Sequence, residues 1–167
     1  MKARRPAALA RIRLLTLDVD GVLTDGRLYY GARGESLKVF HVRDGHGIKL
    51  LQAAGVAVAV ISGRRSAAVA RRMRELGVRS VVQACDDKAA ALATLCRRME
   101  ISPLEVACIG DDTPDLPLMA AAGFAAAPAD AHPLVLAAAH WVANNRGGRG
   151  AVRELCDAIL RARGGGR

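Results

Sequence analysis

Aromatic side chains are scarce: one Trp, two Tyr and two Phe, 3% of 167 residues. So few rings leave little for unpaired bases to stack on, which argues against a single-strand nucleic-acid-binding module. The core has to be built from Ala, Val, Leu and Ile instead. Long apolar runs are missing too. Nothing approaches the ~18–20 residues of a membrane-spanning helix, and Arg11 and Arg13 interrupt the basic start before a signal-peptide core can form. Neither membrane insertion nor export is expected, and the expected compartment is the cytoplasm. Cys85, Cys96, Cys108 and Cys156 form no CxxC pair and no metal-ligand spacing, so they read as reduced thiols filling the core. Lysine is nearly absent: apart from Lys2, Lys38, Lys49 and Lys88, arginine supplies the basic residues behind the formal charge of +9. The arginines are scattered beside Ala-rich stretches, as on solvated helix faces, and no nucleic-acid partner is expected. The excess charge still favours the arrival of a small anion.

What is present is alternation. Short β-favouring runs at 14–20 (LLTLDVD) and 56–62 (VAVAVIS) are nearly continuous, as in strands covered on both faces, and weaker runs follow at 78–82, 106–110 and 124–128. Between them lie helical patterns at 44–54, 66–76 and 87–99, the first two closed by Gly55 and Gly77, and a last helix at 151–163 carries Val152, Leu155, Cys156 and Ile159 on one face. Ser102-Pro103-Leu104-Glu105 has the form of a capping box. This order predicts an α/β fold with a doubly wound, mainly parallel Rossmann-like sheet, in one domain over 1–167 with a core of about 12–162. One segment, 27–40, reads as a protruding β-hairpin, which is marginal alone and needs something to pack on.

In such folds ligands bind beyond the carboxyl ends of the strands. Asp18 and Asp20 close the first run, and residues two apart on a strand face the same way, so two acids leave the sheet edge together. Asp111, Asp112 and Asp115 follow another core strand, and this density of carboxylates suits a hard cation. One of Asp112 and Asp115 is expected to cap the helix beginning near Pro114, which leaves the other acids unexplained. Ser62 ends the 56–62 run, where helix amides and a hydroxyl can hold phosphoryl oxygens, and Lys88 stands near a helix start. Each is weak alone; the order DxD, Ser, Lys, GDDxxD at successive junctions is specific.

With these motifs the chain resembles the haloacid dehalogenase superfamily of phosphohydrolases. Within it, the segments 23–30, 38–49, 127–133 and 147–157 are similar to the 3-deoxy-D-manno-octulosonate 8-phosphate phosphatases, over about residues 14–160. His41 departs from the family pattern, which has Asn there. The resemblance implies that Asp18 is the nucleophile, Asp20 the general acid and base, Ser62 a phosphoryl ligand and Lys88 a fixed cation. It implies Mg²⁺, or Mn²⁺ or Co²⁺, on Asp18, Asp20 and Asp111, with Asp112 or Asp115 orienting its waters. It further implies a sugar-acid phosphate as substrate, contacted by Asp20, His41, Val42, Arg43, Asp44, Gly45, Lys49, Arg64, Arg72 and Lys88. Arg64, directly after Ser62 and Gly63, is read as functional, whereas Arg72 is equally a solvated helix position. His132 and His140 are expected to be structural, and Arg161, Arg163 and Arg167 to belong to a frayed basic terminus.

Spacing adds a point of its own. Between Asp20 and Ser62 there is room for a hairpin, a helix and a strand, and between Ser62 and Lys88 for one helix and one strand. No cap domain fits, so the site either takes a large substrate or borrows a lid from another subunit, and the resemblance implies a homotetramer joined through the 27–40 hairpin. A nine-carbon sugar-acid phosphate is the alternative substrate. A catalytically silent binding subunit of the same fold is the non-enzyme alternative.

Overall fold

A computed structural model describes residues 4–164, with side chains from residue 7. Its core is a six-stranded, wholly parallel sheet in the spatial order β5 (Ser80–Val82), β4 (Ala57–Ile61), β1 (Leu14–Leu17), β6 (Val106–Ile109), β7 (Phe124–Ala127) and β8 (Trp141–Val142). Every residue of β1 is buried, because the strand lies between β4 and β6 and is covered on both faces. The helices α1 (Arg4–Ala10), α2 (Val42–Ala53), α3 (Ala67–Glu75) and α7 (Ala151–Ala162) cover one face, where Ile48, Leu51, Val69, Met73, Leu155 and Ile159 meet. The helices α4 (Lys88–Met99), α5 (Leu116–Ala121) and α6 (Pro133–Ala138) cover the other with Leu92, Leu95, Leu118, Met119 and Val135. Two short strands, β2 (Tyr29–Gly31) and β3 (Gly34–Leu37), pair apart from the sheet as an antiparallel hairpin.

Chain order runs outward from β1 through β4 to β5, then returns to β6 on the other side. The direction of winding therefore reverses between β1 and β6, the crevice where open α/β sheets place ligands. Registers pairing Leu17 with Val60 and with Ile109 bring the carboxyl ends of β4, β1 and β6 level, so Ser62, Asp18 and Asp111 emerge along one edge.

The expected doubly wound sheet is present, with local differences. The first strand stops at Leu17 rather than at residue 20. The Asp18 amide still donates to the Ile109 carbonyl (3.2 Å), but the amides of Val22, Leu23 and Thr24 then converge on the Val19 carbonyl at 3.2, 2.9 and 3.0 Å. A tight loop, not the pleat of a strand, thus aims Asp20. The Thr24 hydroxyl ties this loop by accepting from Gly21 and Gly26. Three elements had no clear signal in the sequence: α1, α6 and β8, short or Ala-rich segments whose partners are distant in the chain. The expected capping box at Ser102 closes on a single 3₁₀ turn, Pro103–Glu105. Cys96, Cys108 and Cys156 are buried and free.

Candidate active site

At this edge lies a cleft of about 340 Å³ lined by Asp18, Asp20, Ser62, Arg64, Lys88, Asp111, Asp112 and Asp115. Lys88 is the first residue of α4, whose start is capped by the Asp87 carboxylate accepting from the Ala90 amide at 2.9 Å. From there its ammonium, 7% exposed, reaches Asp18 at 3.0 Å and Asp115 at 2.5 Å. The other Asp115 oxygen accepts from the amides of Asp111 (3.0 Å) and Asp112 (3.3 Å), so this acid is fully engaged in bracing Lys88 and the loop. Asp112 does the capping, accepting from the Thr113 amide at 2.7 Å. Ser62 is buried and caps no helix: α3 begins only at Ala67, so the amides beside the hydroxyl are those of the intervening loop and not of the helix N-terminus.

Asp18, Asp111 and Asp115 each offer an oxygen within 4.8 Å of the others. Burial, then the charge of Asp115, pushes Asp18 up to about 6 although Lys88 opposes the rise. Burial and the charges of Asp18, Asp115 and Asp112 push Asp111 up to about 8. Burial works against the charge of Lys88, yet Asp18 and Asp115 outweigh it and hold the ammonium above its usual range. One ammonium among these acids leaves the edge short of positive charge, and clustered carboxylate oxygens are the donor set a divalent cation takes. Gly21, at φ +86°, lets the loop lie over this cluster: a β-carbon there would run into the Asp111 carboxylate.

The hairpin folds back over the rim. Lys38, its side chain 1% exposed, donates to Asp20 (2.5 Å) and pairs with Glu35 (3.1 Å). Ser66 donates to Glu35 at 2.6 Å, and Arg64 reaches the Tyr30 hydroxyl at 2.8 Å, Glu35 at 3.4 Å and Asp20 at 3.5 Å. Burial raises the Glu35 carboxyl, but hydrogen bonds from Ser66 and Lys38, with the Lys38 charge, hold it below the usual range. The hairpin is thus docked on its own chain by polar groups, while Leu28, Tyr29, Tyr30, Leu37 and Val39 stay exposed.

The expected substrate residues divide. Asp20, Arg64 and Lys88 line the cleft, whereas His41, Val42, Arg43, Asp44, Gly45, Lys49 and Arg72 do not line it within one chain. Asp44 is buried, its carboxylate accepting from the amides of Gly150 (3.3 Å) and Arg153 (2.8 Å) at the start of α7, because those amides have no partner within their own helix. The Arg72 guanidinium lies over Gly45, where a β-carbon would meet it, and contacts Glu75 at 3.5 Å. His41, Val42 and Arg43 sit at the start of α2, with Val42 76% exposed, and Lys49 lies about two turns further along the helix. His132 caps α6 and His140 accepts from the Ala125 amide at 2.9 Å, structural positions as expected. Arg163 is not frayed: it donates to the Ile12 carbonyl at 2.8 Å. Arg167 lies outside the described residues.

Sequence reasoning missed Lys38, Glu35, Tyr30 and Ser66. Two signals were available: the rarity of lysine, since two of four lysines stand at this site, and the resemblance segments 23–30 and 38–49, which contain Tyr30 and Lys38. The 145–150 loop, though 147–157 carried part of the resemblance, had no role assigned to it. There Gly148 donates to the Val22 carbonyl (2.9 Å) and Gly147 to Asp130 (3.0 Å), seating the loop against the turn after Asp20.

Residues 80–155 match the haloacid dehalogenase-like hydrolase family. The chain is 50% identical, over 92% of its length and 82% of the relative's, to a 3-deoxy-D-manno-octulosonate 8-phosphate phosphatase of Yersinia pestis. The chain belongs to this phosphatase family. It is thereby a phosphoric monoester hydrolase of the haloacid dehalogenase superfamily. Solved structures of the family agree with the fold. A Moraxella catarrhalis member in complex with magnesium, phosphate and the sugar acid superposes with a TM-score of 0.95 at 38% identity, covering 98% of this chain and 94% of that one. The cobalt-bound form of a Haemophilus influenzae member gives 0.92 at 45% identity, covering 94% and 92%.

Proposed function

We propose that this phosphatase hydrolyses 3-deoxy-D-manno-octulosonate 8-phosphate to the free sugar acid and phosphate, a step in making lipopolysaccharide precursors in the cytoplasm. The observation that carries the reading is the pair of carboxylates on one cleft, Asp18 braced by Lys88 and Asp20 by Lys38. The free sugar acid and phosphate held in the Moraxella catarrhalis complex, the two products of that reaction, support the choice of sugar.

Phosphoryl transfer needs in-line attack and relief of charge on the phosphoryl oxygens. Asp18 attacks phosphorus; its oxygen–phosphorus bond forms as the bond to the sugar oxygen breaks, and Asp20 gives that oxygen its proton. In the second step Asp20 takes a proton from water, the water oxygen bonds phosphorus, and the bond to Asp18 breaks. The Ser62 hydroxyl holds a phosphoryl oxygen, and Lys88 offsets the negative charge of Asp18 before attack and again as it leaves phosphorus in the second step. The carboxylates of Asp18 and Asp111 suit a divalent cation; together with the Asp20 carbonyl they would hold Mg²⁺, which would offset repulsion between the anionic nucleophile and the phosphate. Asp115 is occupied by Lys88 and the Asp111 amide, so of the two acids Asp112 would be the one to orient the cation's waters. Arg64, whose Nε–H is buried without a hydrogen-bond acceptor, is placed to meet the sugar carboxylate.

We assign the patch around His41, Val42, Arg43, Gly45, Lys49 and Arg72 to the cleft of a neighbouring chain, in a homotetramer joined through the exposed apolar side of the 27–40 hairpin. Light scattering after size exclusion tests this: a tetramer is expected, and a monomer at working concentration overturns it. The activity is tested by phosphate release from a panel of sugar phosphates, including eight- and nine-carbon acid phosphates, with and without EDTA. Selectivity for the 8-phosphate, loss with EDTA, and loss of turnover in a folded Asp18→Asn variant are expected. Preference for a 9-phosphate overturns the choice of sugar, and activity in Asp18→Asn overturns the mechanism.

A further inference from the structure

Lys38 opens the 38–49 segment, where the resemblance gives it no role, yet it is the most deeply buried cation of the site. Its ammonium lies between Asp20 and Glu35, and it makes the only hydrogen bond to the Asp20 carboxylate among the described residues. Asp20 follows the end of β1 in a turn, so no ladder or helix fixes its side chain. Arg64, the other cation nearby, is 3.5 Å away and its Nε–H makes no hydrogen bond there. Lys38 therefore decides which way the carboxylate points: it occupies Oδ1 and leaves Oδ2 beside Arg64 with no hydrogen bond.

A purely structural role, pinning the hairpin to the core, does not account for this placement. The hairpin is already held by Ser66 and Arg64 on Glu35 and by Arg64 on Tyr30. None of these reaches Oδ1 of Asp20. We infer that Lys38 is a positioning residue for proton transfer, carried to the site by β3 so that docking of the hairpin and orientation of Asp20 are one event. The inference rests on the phosphatase reading, in which Asp20 protonates the leaving sugar oxygen and later takes the proton of the attacking water.

Leaving groups separate this role from stability. A sugar alkoxide departs only as it is protonated, whereas p-nitrophenolate departs from phosphorus without a proton. Wild type, Lys38→Met and Glu35→Gln are compared by stopped flow and rapid quench with the sugar 8-phosphate and p-nitrophenyl phosphate. In Lys38→Met the first turnover of the sugar ester is expected to slow about 100-fold, with KM changed less than about threefold, since general acid–base catalysis contributes 10²–10⁴. The first turnover of the aryl ester is expected to stay within about threefold of wild type. It should then appear as a burst near one product per site, because water activation in the second step is slowed. Glu35→Gln weakens the second contact of Lys38 and is expected to give the same ester-selective loss to a smaller degree.

Equal loss on both esters in Lys38→Met, or no loss on either, overturns the inference while leaving the phosphatase reading in place. A wild-type chain inactive on both esters overturns the phosphatase reading itself, and the inference with it. Should the Met variant unfold, Lys38→Arg keeps a cation between the acids and carries the same comparison; its planar fork cannot occupy the position of the ammonium, so an ester-selective loss is again expected.

Discussion

Binding of a divalent cation to this edge should release protons, by an amount the site itself determines. With Asp111 near 8 and Asp18 near 6 in the metal-free protein, about 90% of Asp111 and about 10% of Asp18 carry a proton at pH 7. Both must ionise to act as ligands, so about one proton leaves per cation at pH 7, about two at pH 5 and about 0.1 at pH 9. Apparent affinity should rise about tenfold per pH unit between roughly 6 and 8 and level off above. The sign for stability follows. Carboxyls whose folded pKa is raised bind more protons folded than unfolded, so the metal-free fold loses stability as pH climbs from about 4 to about 8. Saturation with cation at about 100 times its Kd returns about 2.7 kcal/mol. Calorimetric titration of Mg²⁺ in buffers of low and high ionisation enthalpy measures the protons directly. Identical heats in the two buffers at pH 7, or equal release at pH 7 and pH 9, would refute the electrostatic account of the cluster.

Lys88→Met leaves Asp18 and Asp115 buried without their cation, and should lower metal-free stability by about 3–5 kcal/mol, or the melting temperature by roughly 6–20 °C. Added Mg²⁺ should recover part of that loss without restoring turnover; a melting temperature within about 2 °C of wild type in EDTA contradicts the ion-pair assignment. Gly147→Ala places a β-carbon against the Gly21 carbonyl, so the 145–150 loop must shift off the turn that aims Asp20. A loss of about 1–3 kcal/mol in denaturant unfolding, with at least a tenfold drop in kcat, is expected. Glu35 is held below its ordinary pKa, so its contribution to hairpin docking is present above the unfolded value and lost as pH falls through the lower folded one. Amide resonances of residues 29–38 should titrate with a midpoint below ~4.3, the unperturbed glutamate value, and a midpoint above it counts against the network.

Hydrophobic runs and breakers were enough to reveal a parallel sheet, since 14–17 and 57–61 are apolar stretches broken only by Thr16, as in a strand covered on both faces. Local chemistry was equally legible: the capping box at Ser102, the apolar face of α7 and the spacing of Asp18, Asp20, Ser62, Lys88 and Asp111 at strand ends belong to segments that interact within a few residues or repeat along the chain. The division of labour among Asp111, Asp112 and Asp115 was not, because it depends on which carboxylate Lys88 reaches from 27 residues away. Asp44 looked like part of a substrate loop and proved to hold the start of α7, over 100 residues on. Lys38 and Glu35 belong to the 27–40 segment, which read only as a protruding hairpin. Only folding brought that arm against Asp20 and Arg64, because an ion pair has no sequence period and is settled by which elements the sheet order makes neighbours. Composition and periodicity dictated the scaffold and the placement of the motifs, and tertiary structure alone decided which charge each carboxylate faces.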